Sequence, residues 1–153
     1  MKETVAGDVI PVTLAGSMQK VTLENYRQDR YYPKVVAAVK RLLAKQRHVS
    51  PVEVLMEMGV LMADDRKRWQ RGQVPYLEKV IRCNLSKAGR ILRILRFHAH
   101  DLNLGPSMTA YRHGKQVLRF SKTGVKAIEE AYARHFVVIG KQNPFEAKPR
   151  SSD

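Results

Sequence analysis

Apolar residues recur at spacings of three and four through most of the chain, and the pattern predicts a mainly helical protein. Val35, Val36, Val39, Leu42 and Leu43 share one face of a helix from Pro33 to about Gln46, with Pro33 suited to its first turn. Ser50-Pro51-Val52-Glu53 reads as a helix start: Ser50 caps, Pro51 takes the first position and Glu53 completes a capping box. Val54, Leu55 and Met58 follow, and Gly59 supplies a left-handed stop. A polar helix from Ala63 to Arg71 comes next, with Asp64 and Asp65 at its N-terminal end, its cations later and Gly72 at its close. Pro75 opens a further predicted helix, Tyr76 to about Cys83.

The longest predicted helix is capped by Ser86 and runs to about Leu102. At about 100° per residue, Ala88, Ile91, Leu92, Leu95, Ala99 and Leu102 line one face, while Arg90, Arg93, Arg96 and His100 line the opposite one. Gly105-Pro106 ends the period. Met108–Tyr111 and Gln116–Phe120 read as two short strands of a hairpin turning at His113-Gly114. A last helix is expected from Lys122 to Phe136. Residues 1–24 form an expected N-terminal arm, 25–140 one helical domain with a basic hairpin, and 141–153 a disordered tail rich in Pro and Ser.

Composition changes this picture through charge. The 153 residues hold 28 Lys+Arg against 14 Asp+Glu, a formal net charge of +14. Most of the excess falls between residues 66 and 122: Arg66, Lys67, Arg68, Arg71, Lys79, Arg82, Lys87, Arg90, Arg93, Arg96, Arg112, Lys115, Arg119 and Lys122, opposed only by Glu78 and Asp101. Self-repulsion of this kind opposes folding, so a polyanionic partner is expected. Most of these cations are arginine, the side chain suited to phosphate forks and base edges. Arg90, Arg93 and Arg96 span about 9 Å along one helix, which suits successive phosphates rather than one compact ligand. Arg112, Lys115 and Arg119 decorate the hairpin, and Phe97 and Tyr111 are candidates for stacking on unpaired bases.

The segment Ser50–Gly72, helix–Gly–turn–helix, resembles repressor-type helix-turn-helix proteins, and Trp69-Gln70-Arg71-Gly72-Gln73-Val74-Pro75 is similar to the W-x-x-G-x-x-P end of their recognition helix. Asp65 departs from that pattern, standing where an inward apolar residue belongs. A hairpin after helices is similar to the wing of winged-helix proteins. The chain, and Trp69–Ile81 in particular, also resembles uncharacterised bacterial proteins of similar length, which implies no activity. The resemblance implies a winged-helix-like, mainly α fold that binds duplex DNA in preference to RNA, with a two-fold dimer or a larger complex compatible with it. The alternatives are an RNA or single-strand binder and a basic adaptor for an acidic protein.

Chemistry is sparse. A single cysteine, Cys83, excludes an intramolecular disulfide framework. His98 and His100 lie about 200° apart on a helix and cannot share a metal. Asp65-x-Lys67 with Glu53 or Glu57 upstream is the nearest approach to a metal-dependent nuclease, but these carboxylates fall on helices. No phosphate-binding Gly-rich loop is present, so neither an enzyme nor a cofactor is expected. The N-terminus lacks a secretory pattern and no apolar run approaches a membrane span, so a cytoplasmic protein with no membrane contact is expected.

Overall fold

A computed structural model describes residues 20–140. Five helices surround one core: α1 (Tyr32–Leu43), α2 (Pro51–Glu57), α3 (Ala63–Gln70), α4 (Leu85–Asp101) and α5 (Lys126–Ala133). Five short strands accompany them: β1 (His48–Val49), β2 (Gly105–Met108), β3 (Arg112–His113), β4 (Gln116–Val117) and β5 (Arg134–Val137). β1, β5 and β2 form an antiparallel sheet in that order, with β5 central, and β3–β4 is a separate hairpin. The protein is thus mainly α with a small antiparallel sheet. No helix among the described residues is long and apolar enough to cross a membrane.

The helical periodicity places its apolar faces inward. Val35, Ala38, Val39, Leu42 and Leu43 of α1 are buried against Ile91, Ile94, Leu95 and Ala99 of α4 and Val54 and Leu55 of α2. Ser50 caps α2 as expected, its hydroxyl accepting the Glu53 N–H at 3.1 Å. Gly59 takes a left-handed φ of 77°, and the segment to Met62 turns the chain into α3. Asn84, not Ser86, caps α4, accepting the Lys87 N–H at 2.7 Å. Ile94, placed at the margin of the basic stripe by its helical angle, is fully buried.

Three expected elements are corrected. The helix from Tyr76 to Cys83 is a 3-10 turn over Leu77–Val80. Its backbone donors go elsewhere: Leu77 and Glu78 N–H to the carbonyls of Arg119 and Phe120, Arg82 N–H to Val60. Within the turn, Lys79 N–H bonds to Tyr76 and Ile81 N–H to Glu78 in the i to i−3 pattern, and the Arg82 N–H that an α-helix would give to Glu78 is spent on Val60. The hairpin turns at Gly114 as expected (φ 60°), but Met108 belongs to β2 and pairs with Arg134 rather than with the hairpin.

The last helix spans only Lys126–Ala133. At its head, the Phe120 and Ser121 N–H groups donate to the Glu129 carboxylate, which holds that segment out of the helix. At its tail, Arg134–Val137 is the central strand, bonded to β1 on one side and β2 on the other. Pairing on both edges satisfies a run of β-branched and aromatic residues better than one more helical turn. The arm over residues 1–19 and the tail over 141–153 lie outside the described residues, whereas Val21 is part of the core.

Candidate nucleic-acid interface

Helix α3 is polar all round apart from Trp69, which is fully buried and anchors it. The indole N–H donates to the Arg119 carbonyl at 2.8 Å, and the ring packs on Tyr111 and Phe120 at centroid distances of 5.3 and 5.2 Å. Gly72 ends the helix region at φ 74°, and a Cβ there would lie 3.3 Å from the His113 imidazole. The β3–β4 hairpin is therefore seated against the end of α3, which brings Arg71 and Arg112, the chain neighbours of that contact, to one place. Lys67, Arg71, Arg112 and Lys115 are exposed and have no hydrogen-bonded or ionic partner among the described residues.

Other cations of this region are committed within the molecule. Asp65, the residue that departs from the helix-turn-helix pattern, lies 3.2 Å from Arg68 and 3.3 Å from Arg82, so its charge is met internally. Arg66 is half-buried, with one guanidinium nitrogen 3.4 Å from Met56 Sδ and its buried Nε unpaired among the described residues. The Arg119 guanidinium donates to the carbonyls of Ser121 and Lys122 and lies over the Tyr76 ring. It is a local clamp, although the sequence placed it with the phosphate contacts. Lys79 and Lys122 extend into solvent.

The stripe on α4 divides. Arg90 is turned inward to Asp29, with side chains 20% and 2% exposed, so the three-arginine row read from the sequence loses its first member. The cause is a partner that the helical wheel could not show, contributed by the segment ahead of α1. Lys87 is half-buried, its ammonium 5.1 Å from the Tyr31 ring centre. Arg93 and Arg96 are exposed and unpaired among the described residues. They line a groove between α4 and α5 together with Arg134 of β5, a cation the sequence reading missed because it lies beyond the charge-rich stretch 66–122.

Of the two aromatics, Phe97 is half-buried, packs on Tyr26 at 5.4 Å and lines this groove. Tyr111 is part of the Trp69 cluster, and its hydroxyl is hydrogen-bonded to His135 Nε2 at 2.9 Å. Burial pushes that phenol's pKa up. It is engaged on ring and hydroxyl, unlike the free stacking surface expected of it.

A polar cluster lies behind these surfaces. His135 stacks on His48 at 6.1 Å, and His48 Nε2 lies 3.6 Å from the Glu53 carboxylate. Burial, then the neighbouring His48, lowers the His135 pKa. His98 is buried on the inner face of α4, its pKa lowered by burial and then by Arg27. No group of three or more His, Cys, Asp or Glu among the described residues is arranged to hold a metal ion.

Comparison of the chain with protein-family models, with curated proteins and with solved structures finds no match.

Proposed function

We propose that the protein binds duplex DNA through cations held on two supports: α3 with the β3–β4 hairpin, and the outer face of α4. The observation that carries this reading is the set Lys67, Arg71, Arg93, Arg96, Arg112 and Lys115, exposed and without an anionic partner among the described residues. In a protein built only to be soluble, such charges are offset by interspersed acids. Of the nearby acids, Asp29 and Asp65 are spent on Arg90, Arg68 and Arg82, while Asp64, at the far end of α3 from Arg71, is exposed.

On this reading the α2–turn–α3 pair acts as a helix-turn-helix-like unit and the hairpin seated against the end of α3 as a wing. On this reading Trp69 scaffolds the unit, Arg71 and Arg112 reach a groove or backbone, and Arg93 and Arg96 hold phosphates. A two-fold dimer would place two such units one helical turn of DNA apart, and a cytoplasmic location fits this activity.

The test is binding of fluorescent duplex DNA, single-stranded DNA and RNA of equal length at one fixed salt concentration. The expected order is duplex first. Preference for the single strand or RNA assigns the cations to unpaired bases instead. No binding to any of the three assigns them to an acidic protein and ends the DNA reading.

A further inference from the structure

The groove between α4 and α5 has a composition that phosphate contact does not account for. It consists of two adjoining hollows of about 520 and about 340 Å³ that share Arg96, Phe97 and Arg134. These sizes fall in the range of small-molecule sites, which run to some hundreds of Å³. The first hollow is floored by Leu92, Phe97 and Ile128 and carries Arg93 in addition, and the second adds Leu104 and Phe136. Phosphate groups offer no hydrocarbon to cover such a floor.

Cations outnumber acids in the groove, three to two. Arg93, Arg96 and Arg134 have no partner among the described residues. The two carboxylates that line the groove are engaged. Glu78 accepts the Lys122 N–H at 2.8 Å and the Tyr132 hydroxyl at 2.9 Å, and Glu130 lies 3.9 Å from Lys126 Nζ. An apolar trough in which three unpaired guanidinium groups outnumber two carboxylates calls for an anionic ligand with an apolar body, since guanidinium groups fork carboxylates and the floor is covered by hydrocarbon.

We infer that this groove binds a small organic anion with an apolar body, its acid group held by Arg96 and Arg134 and its body lying on Phe97 and Ile128. Arg96 cannot serve this ligand and a DNA phosphate at once, so the two occupants exclude one another there. The binding itself is measured without nucleic acid and stands apart from the DNA reading.

The experiment is isothermal titration of the full chain with 2-naphthoate and octanoate, one flat and one elongated, against their neutral alcohols and inorganic phosphate. At least one carboxylate is expected to bind with a Kd below about 1 mM, the alcohols and phosphate at least about tenfold more weakly. Arg96→Met and Arg134→Met are expected to weaken the carboxylate by about tenfold each. Ile128→Asp, which sets an acid on the exposed flank of the floor, is expected to abolish binding while leaving the melting temperature near that of the parent. The inference is overturned if neither carboxylate binds up to about 1 mM, if the alcohols or phosphate bind as well, or if folded variants bind unchanged.

Discussion

The side chains that matter most here are arginines of similar sequence context with different tasks. Arg90 faces Asp29, whose side chain is 2% exposed, while Arg93 one turn later reaches solvent. Removing one partner of a buried pair strands the other charge, so Asp29→Ala and Arg90→Gln are each expected to cost about 3–5 kcal/mol in chemical denaturation. Arg93→Gln is expected to stay within about 0.5 kcal/mol of the parent, because it replaces an exposed, unpaired side chain. Equal stability of the Arg90→Gln and Arg93→Gln variants would contradict this division. Both residues fall on one helical face in the sequence pattern, since a wheel shows direction but not what packs against it. The inward partner comes from 61 positions away in the chain.

Buried histidines set a pH dependence at the same scale. His98 and His135 have folded-state pKa values below the usual value of about 6.5, both mainly through burial. The unfolded chain therefore binds more protons than the folded one as pH drops below about 6.5. Stability is complete above that value and falls as pH descends from it toward the folded-state values. Urea midpoints are expected to decline between about pH 7 and 5, and less steeply in His98→Gln. A midpoint that rises on acidification runs against the assignment.

At the scale of elements, the helices were legible from their own signals, an apolar stripe, the Ser50 cap and the Gly59 stop, although the cap of α4 fell on Asn84 two positions before the Ser86 the sequence suggested. The strands of the β1–β5–β2 sheet were not. β1 is two residues long, and β5 continues a helical pattern until pairing on both edges makes it extended. The 3-10 turn at Leu77–Val80 was read as a helix because its backbone partners, Arg119 and Phe120, lie some 40 residues downstream. Such long-range bonds leave no local trace.

The seat of the hairpin on α3 is an element-scale feature with a direct test. Gly72→Ala puts a Cβ into a left-handed position and 3.3 Å from His113. The conformational term alone is about 1–2 kcal/mol, and the hairpin must shift as well. Loss of stability is expected together with weaker DNA binding. Trp69→Phe removes the indole donor to the Arg119 carbonyl and is expected to cost about 1–3 kcal/mol, read from the denaturation midpoint. A stable Trp69→Phe variant would mean that the indole does not hold this junction.

At the scale of the molecule, the charge asymmetry between residues 66 and 122 was visible in the chain itself, but which cations reach solvent was not. Folding turns Arg90 inward and half-buries Arg66, and it pairs Arg68, Arg82 and Arg119 with neighbouring groups while they stay at the surface, leaving a smaller set exposed and unpaired among the described residues. Arg134 joins that set from the sheet. The central claim is that the exposed set neutralises DNA phosphates, and counterion release makes this countable. The most direct measurement is the slope of log binding constant against log salt for duplex DNA, between about 50 and 300 mM, for the parent and for Arg93→Gln/Arg96→Gln. A steep parental slope that falls by about 2 units in the double variant, with melting temperature unchanged, is the predicted result. A slope that is equally steep in both would contradict the role of α4, and a parent with no salt-dependent binding would contradict the account as a whole.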